Sequence, residues 1–504
     1  MCAKKRFSRR QFITGAATVG VASIVGEHIL AKQGIIEPQL NFLPKVLRPH
    51  NSSDYNYITV MFDSLRYDHI GFHGNNWIKT PNIDAFATQS QVFDKAYSGG
   101  FPTLLNRAEL FTGRYMYTVM NWEDLPDDAV VMATMMGEAG YTTGLVFDTG
   151  HLKDNGFFLD RGFQSWDWIR GQEEDRFKAQ PRHPQLPASP EKFRSVEVLE
   201  QYLRNMSGRT SEADYLVAQT LTRAITWLEQ NKDHGPFYLH VDCFDPHEPW
   251  DPPQAYVDLY NPDYTGEKVI YPAYAPPDYM SQAELTHMRA LYAAEISLVD
   301  AWYGHFLAEL DRLGVAENTV VMLLADHGFM LGEHNAVGKA WSRNGYYEAY
   351  PLYQELIHVP LMVRVPGQGH RRLNALVQPA DIMPTILDMA GAADPGTMHG
   401  KSLRMLLEGG NDMVRETAVS GRSLKLPLSS KNRISITDGE WVLHHGAAHA
   451  SSHLYYLPTD SQQTNDLISG ECTRARNLHN QLLTFLEDVD TPQTTITDWS
   501  QPPC

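Results

Sequence analysis

The chain has 504 residues, of which 43% are hydrophobic, so it can bury a large core and form one large domain with a smaller one beside it. Its formal net charge of −18 argues against a protein that wraps nucleic acid, because that surface needs clustered Lys and Arg and no basic run occurs past the N-terminus. The four cysteines are too few and too irregularly spaced for a disulfide scaffold or a thiolate zinc site, and a bridge between Cys472 and Cys504 stays an open pairing.

The N-terminus has the form of a twin-arginine export signal. Arg9 and Arg10 precede a small, apolar, charge-free run at 14–26, which is too short to span a bilayer stably. We therefore predict an export signal at 1–32, which engages the twin-arginine export machinery and carries the folded protein to a periplasmic or other extracytoplasmic location. An uncleaved signal would remain as an anchor. A polar, Pro-containing linker is predicted at 33–54.

Apolar runs with strand character alternate with helical patterns along the next part of the chain. The predicted strands are 57–62, 142–147, 237–241, 319–324 and 360–365, and the clearest predicted helices are 215–229 and 282–313. Continuous apolar strands that alternate with helices indicate an α/β fold with a parallel type of sheet buried between helices. We predict that this catalytic domain covers 55–416.

The C-terminal part of the chain has a different pattern. Short predicted strands at 433–437, 441–445 and 453–457 are followed by a predicted helix at 474–486. This order predicts a smaller α+β subdomain at 417–504. Within the larger domain, the Pro- and charge-rich stretch 173–192 is predicted to be an exposed insertion.

Acidic and histidine side chains follow three of the predicted strands. Asp63 comes directly after the first strand, and His247 lies a few residues beyond the third. Asp326 and His327 follow the fourth strand. Ligands of such sheets collect at the carboxyl ends of the strands, so these side chains are candidates for one site. Carboxylates and imidazoles there could hold a metal and supply an acid.

One segment resembles the signature of the type I sulfatases, a family of the alkaline phosphatase superfamily. It reads Phe101-Pro102-Thr103-Leu104-Leu105-Asn106-Arg107 and continues to Thr112-Gly113-Arg114. The family pattern is Cys or Ser, any residue, Pro, Ser, Arg, and then Thr-Gly-Arg. Thr103 occupies the position that the family converts to formylglycine, which is made only from Cys or Ser, so Thr103 must attack as an alkoxide. The resemblance implies an alkaline-phosphatase-like mixed, mostly parallel sheet between helices, with a smaller C-terminal α+β subdomain.

The resemblance also implies one divalent metal ion at the strand ends. Its ligands would be Asp63, Ser64, Thr103, Asp326 and His327. Ser64 stands where many sulfatases have a second Asp, and His327 stands where Asn is common. An imidazole nitrogen therefore replaces hard oxygen ligands, which favours manganese or zinc and leaves calcium as the alternative.

The same resemblance implies which groups act on the ester. Thr103 would be the nucleophile, and Arg107, one helical turn later, would reach back to it and to the ester oxygens. His247, in a Pro-His-x-Pro segment, would be the general acid. Lys339 and His334 resemble the downstream basic residues that hold the anion, although His334 fits a turn equally well.

The leading hypothesis is an exported, metal-dependent hydrolase that uses a Thr nucleophile on a phosphodiester or phosphonate monoester. A sulfatase without formylglycine is less favoured, because a sulfo-threonine lacks the elimination that a formylglycine hydrate provides. A phosphoryl-headgroup transferase and a non-catalytic binding protein are the remaining alternatives. The expected partner is a small-molecule, glycan-derived or lipid-derived anionic ester and not a nucleic acid, and the oligomeric state is not predicted.

Overall fold

A computed structural model describes residues 55–504, apart from 154–156, 344, 411–412, 427–431 and 448–449. The predicted export signal and linker at 1–54 lie outside the described residues, and both stay predictions. Within the described ranges, no helix is both long enough and apolar enough to cross a membrane.

The strands are mostly short. In chain order they are β1 (Asn56–Phe62), β2 (Gln91–Ala96), β3 (Thr142–Phe147), β4 (Ser165–Trp168), β5 (Phe237–Cys243), β6 (Thr319–Ala325), β7 (Met330–Leu331), β8 (Val337–Gly338), β9 (Ala340–Arg343), β10 (Tyr346–Ala349), β11 (Leu361–Arg364), β12 (Arg371–Val377), β13 (Ala418–Gly421), β14 (Arg433–Thr437), β15 (Trp441–Gly446) and β16 (His453–Tyr456). The predicted strands of both domains coincide with these to within two residues at each end.

The helices range from single turns to one long helix. They are α1 (Pro81–Ala87), α2 (Thr103–Thr112), α3 (Met132–Glu138), α4 (Val196–Met206), α5 (Leu216–Asn231), α6 (Gln254–Val257), α7 (Gln282–Arg312), α8 (Gln354–Ile357), α9 (Ile382–Ala390), α10 (Arg404–Leu407), α11 (Cys472–Asp488) and α12 (Gln493–Trp499). The longest helix, α7, starts at a capping box in which Ser281 and Glu284 satisfy each other's backbone N–H groups.

The main sheet holds the core of the larger domain. Among the described residues its eight strands lie in the order β12-β2-β11-β6-β1-β5-β3-β4. All neighbours run parallel except β11, which is antiparallel to both β2 and β6. Every residue of the central strands β1, β5 and β6 is buried. The structure thus confirms the mixed, mostly parallel sheet between helices.

A second, antiparallel sheet of the order β13-β14-β15-β16 follows in the C-terminal part, and α11 and α12 come after it. Its first strand is joined to the loop before α2, because Phe101 N–H donates to Gly421 O at 2.9 Å and Gly421 N–H donates to Gly99 O at 3.0 Å. Cys472 and Cys504 form a disulfide, which resolves the pairing that the sequence left open. The boundary at 417 stays a prediction, and the second sheet itself begins at Ala418.

The predicted insertion at 173–192 is exposed over much of its length, but its first residue is not. Glu173 is buried and accepts a hydrogen bond from the Tyr271 hydroxyl at 3.0 Å. Its carboxylate also lies 3.6 Å from the Arg194 guanidinium. The prediction of an exposed insertion is therefore wrong at Glu173, because a charged residue can be buried when it gains a cationic partner.

Candidate active site

The ends of β1 and β6 bring together three side chains that could hold a metal ion. The two strands are parallel neighbours, and Phe62 pairs with Ala325 at their ends, so Asp63 and Asp326 leave the sheet side by side. Asp63, Asp326 and His327 are fully buried, and one ligand atom from each lies within 4.8 Å of the other two. The strand ends thus build the cluster that the sequence pattern indicated.

Ser64 closes one side of this cluster. Its backbone has a left-handed conformation with φ of 62°, which turns its N–H toward Asp326 Oδ1 at 3.0 Å. Its hydroxyl donates to Asp63 Oδ1 at 2.9 Å and lies 3.5 Å from His327 Nδ1. Ser64 therefore orients both carboxylates, in addition to offering an oxygen of its own.

Thr103 is the first residue of α2 and points its hydroxyl at the cluster. Its Oγ1 lies 3.2 Å from His327 Nε2, and the side chain is 3% exposed. The first N–H groups of a helix have no partners within the helix and favour an anion. The hydroxyl therefore meets two features that stabilise negative charge, the helix start and a site for a cation.

Arg107 has a different environment from the one predicted. The guanidinium is fully buried and donates to Asp242 through two nitrogens at 2.8 Å each, and to Asp326 Oδ2 at 2.6 Å. It also lies 3.2 Å from Asp63 Oδ2 and donates to the Thr103 carbonyl at 3.3 Å. These groups account for all of the guanidinium contacts in the described part of the chain. Arg107 holds the carboxylates of Asp63, Asp242 and Asp326 in place, and its nitrogens are not directed at the Thr103 hydroxyl.

The two carboxyl groups of the cluster have pKa values that shift in opposite directions. Burial, followed by the negative charge of Asp326, raises the pKa of Asp63 well above its ordinary value. Burial also opposes ionisation of Asp326, but His327 and Arg107 outweigh it and lower the pKa of that carboxyl to about 2. Burial lowers the pKa of His327 to about 3, so its imidazole is neutral and able to bind a metal near neutral pH.

His247 belongs to a second buried group that adjoins the first. Its Nδ1 lies 2.6 Å from the Glu248 carbonyl, which can only accept, so Nδ1 carries the proton and Nε2 is left for another partner. Burial and the positive charge of Lys339 lower the pKa of His247 well below its usual range. Glu173 and Glu248 lie close enough to His247 to form a possible metal-binding group. Arg194 already lies 3.6 and 3.3 Å from these two carboxylates and compensates their charge.

The two predicted basic residues lie in different places. Lys339 is buried. Its positive charge contributes to the low pKa values of His247 and His327 and opposes the rise of the Asp63 pKa, so it lies near these three side chains. His334 instead stacks on Tyr353 with ring centroids 3.7 Å apart. Its Nε2 lies 3.7 Å from Glu355, and none of its described contacts reaches Thr103. The structure therefore favours the turn interpretation of His334.

Two residues of this region escaped the sequence analysis. Asp242 lies at the end of β5. Its carboxylate accepts two hydrogen bonds from the Arg107 guanidinium and one from the Thr149 hydroxyl, the last at 2.5 Å. Its place at a strand end could have indicated it. His151 lies on the loop after β3. Burial, followed by the positive charges of Arg107 and Lys339, lowers the pKa of its imidazole to about 4. No motif in the sequence marked His151.

The donor set fits a divalent metal ion. The Oδ2 atom of Asp63 is buried and accepts no hydrogen bond, and its described ionic partner is the Arg107 guanidinium at 3.2 Å, so its lone pairs are open to a metal ion. Two carboxylates and one neutral imidazole at 4.8 Å or less are the donors that manganese, zinc and related ions accept.

Comparisons with known proteins agree with this geometry. The family model of sulfatases matches residues 55–392, and that of the C-terminal region of N-sulphoglucosamine sulphohydrolase matches residues 342–490. An arylsulfatase of Clostridium perfringens is 25% identical over 72% of this chain and 80% of its own length. An ulvan-active sulfatase of Formosa agariphila is 26% identical over 70% of this chain and 65% of its own length.

Solved structures show the same fold. A phosphonate monoester hydrolase of Agrobacterium radiobacter has a TM-score of 0.69 and 22% identity, over 86% of this chain and 96% of its own. A protein solved with its substrate D-glucosamine-2-N,6-O-disulfate has a TM-score of 0.65 and 20% identity, over 90% of this chain and 99% of its own. The family match spans most of the chain and includes every metal-binding candidate, so this protein belongs to the sulfatase family and is an ester hydrolase.

Proposed function

We propose that the protein is an exported, metal-dependent phosphoester hydrolase in which Thr103 is the nucleophile. The position of Thr103 Oγ1 carries this proposal, because it lies at the start of a buried helix and 3.2 Å from His327 Nε2. A nucleophilic oxygen must lie next to groups that stabilise its negative charge. The candidate metal ligands and the first N–H groups of the helix are such groups.

Asp63, Asp326 and His327 would hold the metal, with the hydroxyls of Ser64 and Thr103 beside it. When bound, a divalent ion would lower the pKa of the Thr103 hydroxyl and polarise the ester. Arg107 positions the carboxylates, and because its donors are engaged with Asp242 and Asp326 it does not serve as a substrate clamp.

The chain's own residues then divide the remaining steps. The Thr103 hydroxyl gives its proton to the unprotonated Nε2 of His247 as Oγ1 forms a bond to phosphorus. The bond from phosphorus to the leaving oxygen breaks, and His247 passes the proton from Nε2 to that oxygen. Lys339 and the first N–H groups of α2 stabilise the charge on the other oxygens. Water then attacks the phosphothreonine, which releases the phosphorus-containing product and restores Thr103.

Sulfate ester hydrolysis is the second candidate, because the sequence relatives carry the names arylsulfatase and ulvan-active sulfatase. Phosphonate monoester hydrolases are among the structural neighbours, so relatives of both kinds surround the chain. A neighbour solved with a disulfated glucosamine and another solved with a neocarrahexaose further support an anionic ester as the substrate. The Cys472–Cys504 disulfide supports export, since disulfides persist mainly in oxidising compartments.

The decisive experiment traps the covalent intermediate. His247→Ala is incubated with an aryl phosphonate monoester and manganese or zinc, and peptide mass spectrometry is expected to find the phosphonyl group on Thr103. Thr103→Ala should abolish turnover, whereas Thr103→Ser should keep part of it. Thr220→Ala is the control, because Thr220 is also buried on α5 and, among the described residues, its hydroxyl donates to the Leu216 carbonyl alone.

Two outcomes would decide against this proposal. If Thr103→Ala still hydrolyses phosphoesters, Thr103 is not the nucleophile. Faster turnover of aryl sulfates than of aryl phosphonates or phosphodiesters by the wild type would establish the sulfatase alternative instead.

A further inference from the structure

Glu248 places a buried carboxylate against the imidazole of His247. The side chain of Glu248 is 0% exposed, that of His247 is 4% exposed, and Glu248 Oε2 lies 3.2 Å from His247 Nδ1. The Nδ1 proton itself goes to the Glu248 carbonyl at 2.6 Å. Oε2 is therefore buried and accepts no hydrogen bond, and its described ionic partner is the His247 ring. A buried carboxylate oxygen without a donor is unusual in a native protein and calls for a specific reason.

The other carboxylate oxygen of Glu248 is fixed by two donors from elsewhere in the chain. Oε1 accepts hydrogen bonds from the Tyr274 hydroxyl at 2.5 Å and from the Arg194 guanidinium at 3.3 Å. The guanidinium also lies 4.4 Å from the centre of the Tyr274 ring, so the two donors are packed on each other. Because Oε1 is held in this way, Oε2 is kept facing His247.

The His247 ring is also held on its face. The Phe244 ring stacks on it with ring centroids 4.0 Å apart and an angle of 28° between the planes. This stacking and the hydrogen bond from Nδ1 to the Glu248 carbonyl together set the direction of Nε2. His247 therefore exchanges protons through Nε2, whereas Glu248 Oε2 lies on the Nδ1 side of the ring.

A charge on His247 is costly in these surroundings. Burial, followed by the positive charge of Lys339 and then that of Arg194, lowers the pKa of His247 well below its usual range. The proton that His247 takes from Thr103 nevertheless creates an imidazolium here. A carboxylate 3.2 Å away acts weakly on a neutral ring and strongly on an imidazolium, and burial strengthens the attraction. Such an interaction stabilises the transition state more than the resting state.

We propose that Glu248 is a positioning residue of the reaction, whose carboxylate holds the His247 ring and stabilises the imidazolium that forms when Nε2 takes up the Thr103 proton. This inference rests on the proposed function, in which His247 carries that proton to the leaving oxygen. Glu248 neither accepts nor gives a proton in the step, because Nδ1 keeps its own proton and the proton on Nε2 goes to the leaving oxygen. A buried carboxylate has the same relation to the catalytic histidine in Ser-His-Asp hydrolases.

The spacing of Glu173, His247 and Glu248 also suits a metal ion. The surroundings favour the contact between imidazole and carboxylate instead. Nδ1 of His247 carries a proton, and the Arg194 guanidinium lies 3.6 and 3.3 Å from the two carboxylates. A second cation at this place would meet both of these charges and protons.

Glu248→Gln tests the inference, because it keeps the shape of the side chain and removes its charge. On phenyl phosphonate monoesters kcat should fall by roughly 10–100-fold, the range that a charge-assisted contact contributes, while KM stays within about twofold. On the 4-nitrophenyl ester the loss should be smaller, since that leaving group needs no proton. Tyr274→Phe keeps the charge and removes one donor to Oε1, so it should lower kcat by a smaller factor. An unchanged kcat in either variant would overturn the inference.

A double variant separates an effect through His247 from a structural one. If Glu248 acts through His247, the combination of Glu248→Gln and His247→Gln should be no slower than His247→Gln alone. A further loss of about tenfold in the double variant would show that Glu248 acts independently of His247 and would overturn the inference.

The matched control is Glu295→Gln on α7. Glu295 is also buried, and its Oε2 has no hydrogen-bond partner among the described residues. Burial raises the pKa of Glu295 well above its ordinary value, so the change to Gln removes no charge near neutral pH. This variant should keep the wild-type kcat.

Calorimetric titration with manganese checks that the site is intact. Wild type and Glu248→Gln should bind the ion with equal stoichiometry and affinity, because Glu248 lies outside the cluster of Asp63, Asp326 and His327. One more ion bound by the wild type than by Glu248→Gln would show that the carboxylate is a metal ligand, and this too would overturn the inference.

The inference and the proposed function fail in different ways. If Thr103→Ala is inactive but Glu248→Gln turns over as fast as the wild type, the role of Glu248 is wrong and the Thr nucleophile stands. If Thr103→Ala stays active while Glu248→Gln is slow and the double variant is no slower than His247→Gln, Glu248 supports His247 in a reaction with another nucleophile. Should the wild type hydrolyse aryl sulfates and not phosphonates, the same variants are compared on phenyl sulfate with the same expectations.

Discussion

At the scale of single residues, Arg107 links carboxylates that come from the ends of three different strands: Asp63, Asp242 and Asp326. The planar guanidinium binds two oxygens of Asp242 and one of Asp326 and lies against Asp63, a fork geometry that an ammonium group cannot reproduce. The side chain therefore fixes the direction of carboxylates that would bind the metal.

We expect Arg107→Lys to weaken metal affinity by roughly 10–100-fold, as the loss of an outer partner of a metal ligand commonly does. Calorimetric titration of the metal-free protein with manganese or zinc measures this directly, without reference to activity. Arg223→Lys, on the surface, should leave the affinity unchanged. An Arg107→Lys variant with wild-type metal affinity but poor turnover would instead assign Arg107 to the substrate.

His247 gives a prediction about the leaving group. Its Nδ1 proton is held by the Glu248 carbonyl, so only Nε2 can take up a proton and pass it to the leaving oxygen. His247→Gln should reduce kcat/KM by roughly 10²–10⁴-fold for esters of weakly acidic alcohols, which need protonation as they leave. Esters of 4-nitrophenol should lose much less, because 4-nitrophenolate leaves without a proton. Equal losses for both kinds of ester would contradict the general-acid role.

The sequence predicts the members of this site better than their contacts. Asp63, Asp326 and His327 were found because polar residues after buried parallel strands meet at one edge of a sheet. The direction of Arg107 could not be predicted, because it depends on Asp242, which comes from another strand 135 residues away. Spacing along a helix places a side chain one turn from Thr103, but burial against three carboxylates decides where its nitrogens point.

At the scale of elements, the strands and long helices follow from the apolar pattern, but strand direction does not. A short apolar run such as β11 is buried equally well in either direction, so its antiparallel pairing with β2 and β6 leaves no sign in the sequence. The second sheet was likewise predictable as strands, but its hydrogen bonds to the loop before α2 were not, because they join residues more than 300 positions apart.

Asp300 links two elements and gives the fold a pH dependence. It lies on α7 and accepts hydrogen bonds from the backbone N–H groups of Asn82 and Ile83, at 3.0 and 2.7 Å, where α1 begins. Burial nevertheless outweighs these bonds and raises the pKa of Asp300 to about 6. The unfolded carboxyl titrates at about 3.9, so between these values the folded protein keeps a proton that the unfolded chain has lost.

A raised carboxyl pKa costs stability as the pH rises through this window. Relative to Asp300→Asn, the wild type should therefore lose up to about 3 kcal/mol between pH 4 and pH 7. The Tm difference between the two proteins across that range is the measurement. Asp233→Asn, at an exposed position, should show no such trend. A Tm difference for Asp300→Asn that stays constant with pH would contradict the assignment.

At the scale of the whole molecule, the disulfide secures the C-terminal end of the chain. It joins Cys472, at the start of α11, to Cys504 and encloses α12, whose Trp499 is buried. The Trp499 carbonyl is within hydrogen-bonding distance of His445 and His479, at 3.1 and 2.9 Å, so the enclosed segment is also held by polar contacts to β15 and α11. The sequence left this pairing open, because two of four cysteines 32 residues apart do not by themselves specify a bond.

Cys504→Ser should lower the free energy of unfolding of the C-terminal segment by about 2–4 kcal/mol, because a closed loop of this length restricts the unfolded chain. Differential scanning calorimetry of the variant and of the wild type measures the shift, and reductant should lower the Tm of the wild type alone. Turnover of small aryl esters should be unchanged, since neither cysteine contacts a residue of the active site in the described part of the chain.

Protein recovered from the periplasmic fraction should resist thiol alkylation at Cys472 and Cys504 until it is reduced. If both thiols are free in that fraction, the disulfide no longer supports export. If the wild type and Cys504→Ser have the same Tm, the disulfide does not stabilise the fold.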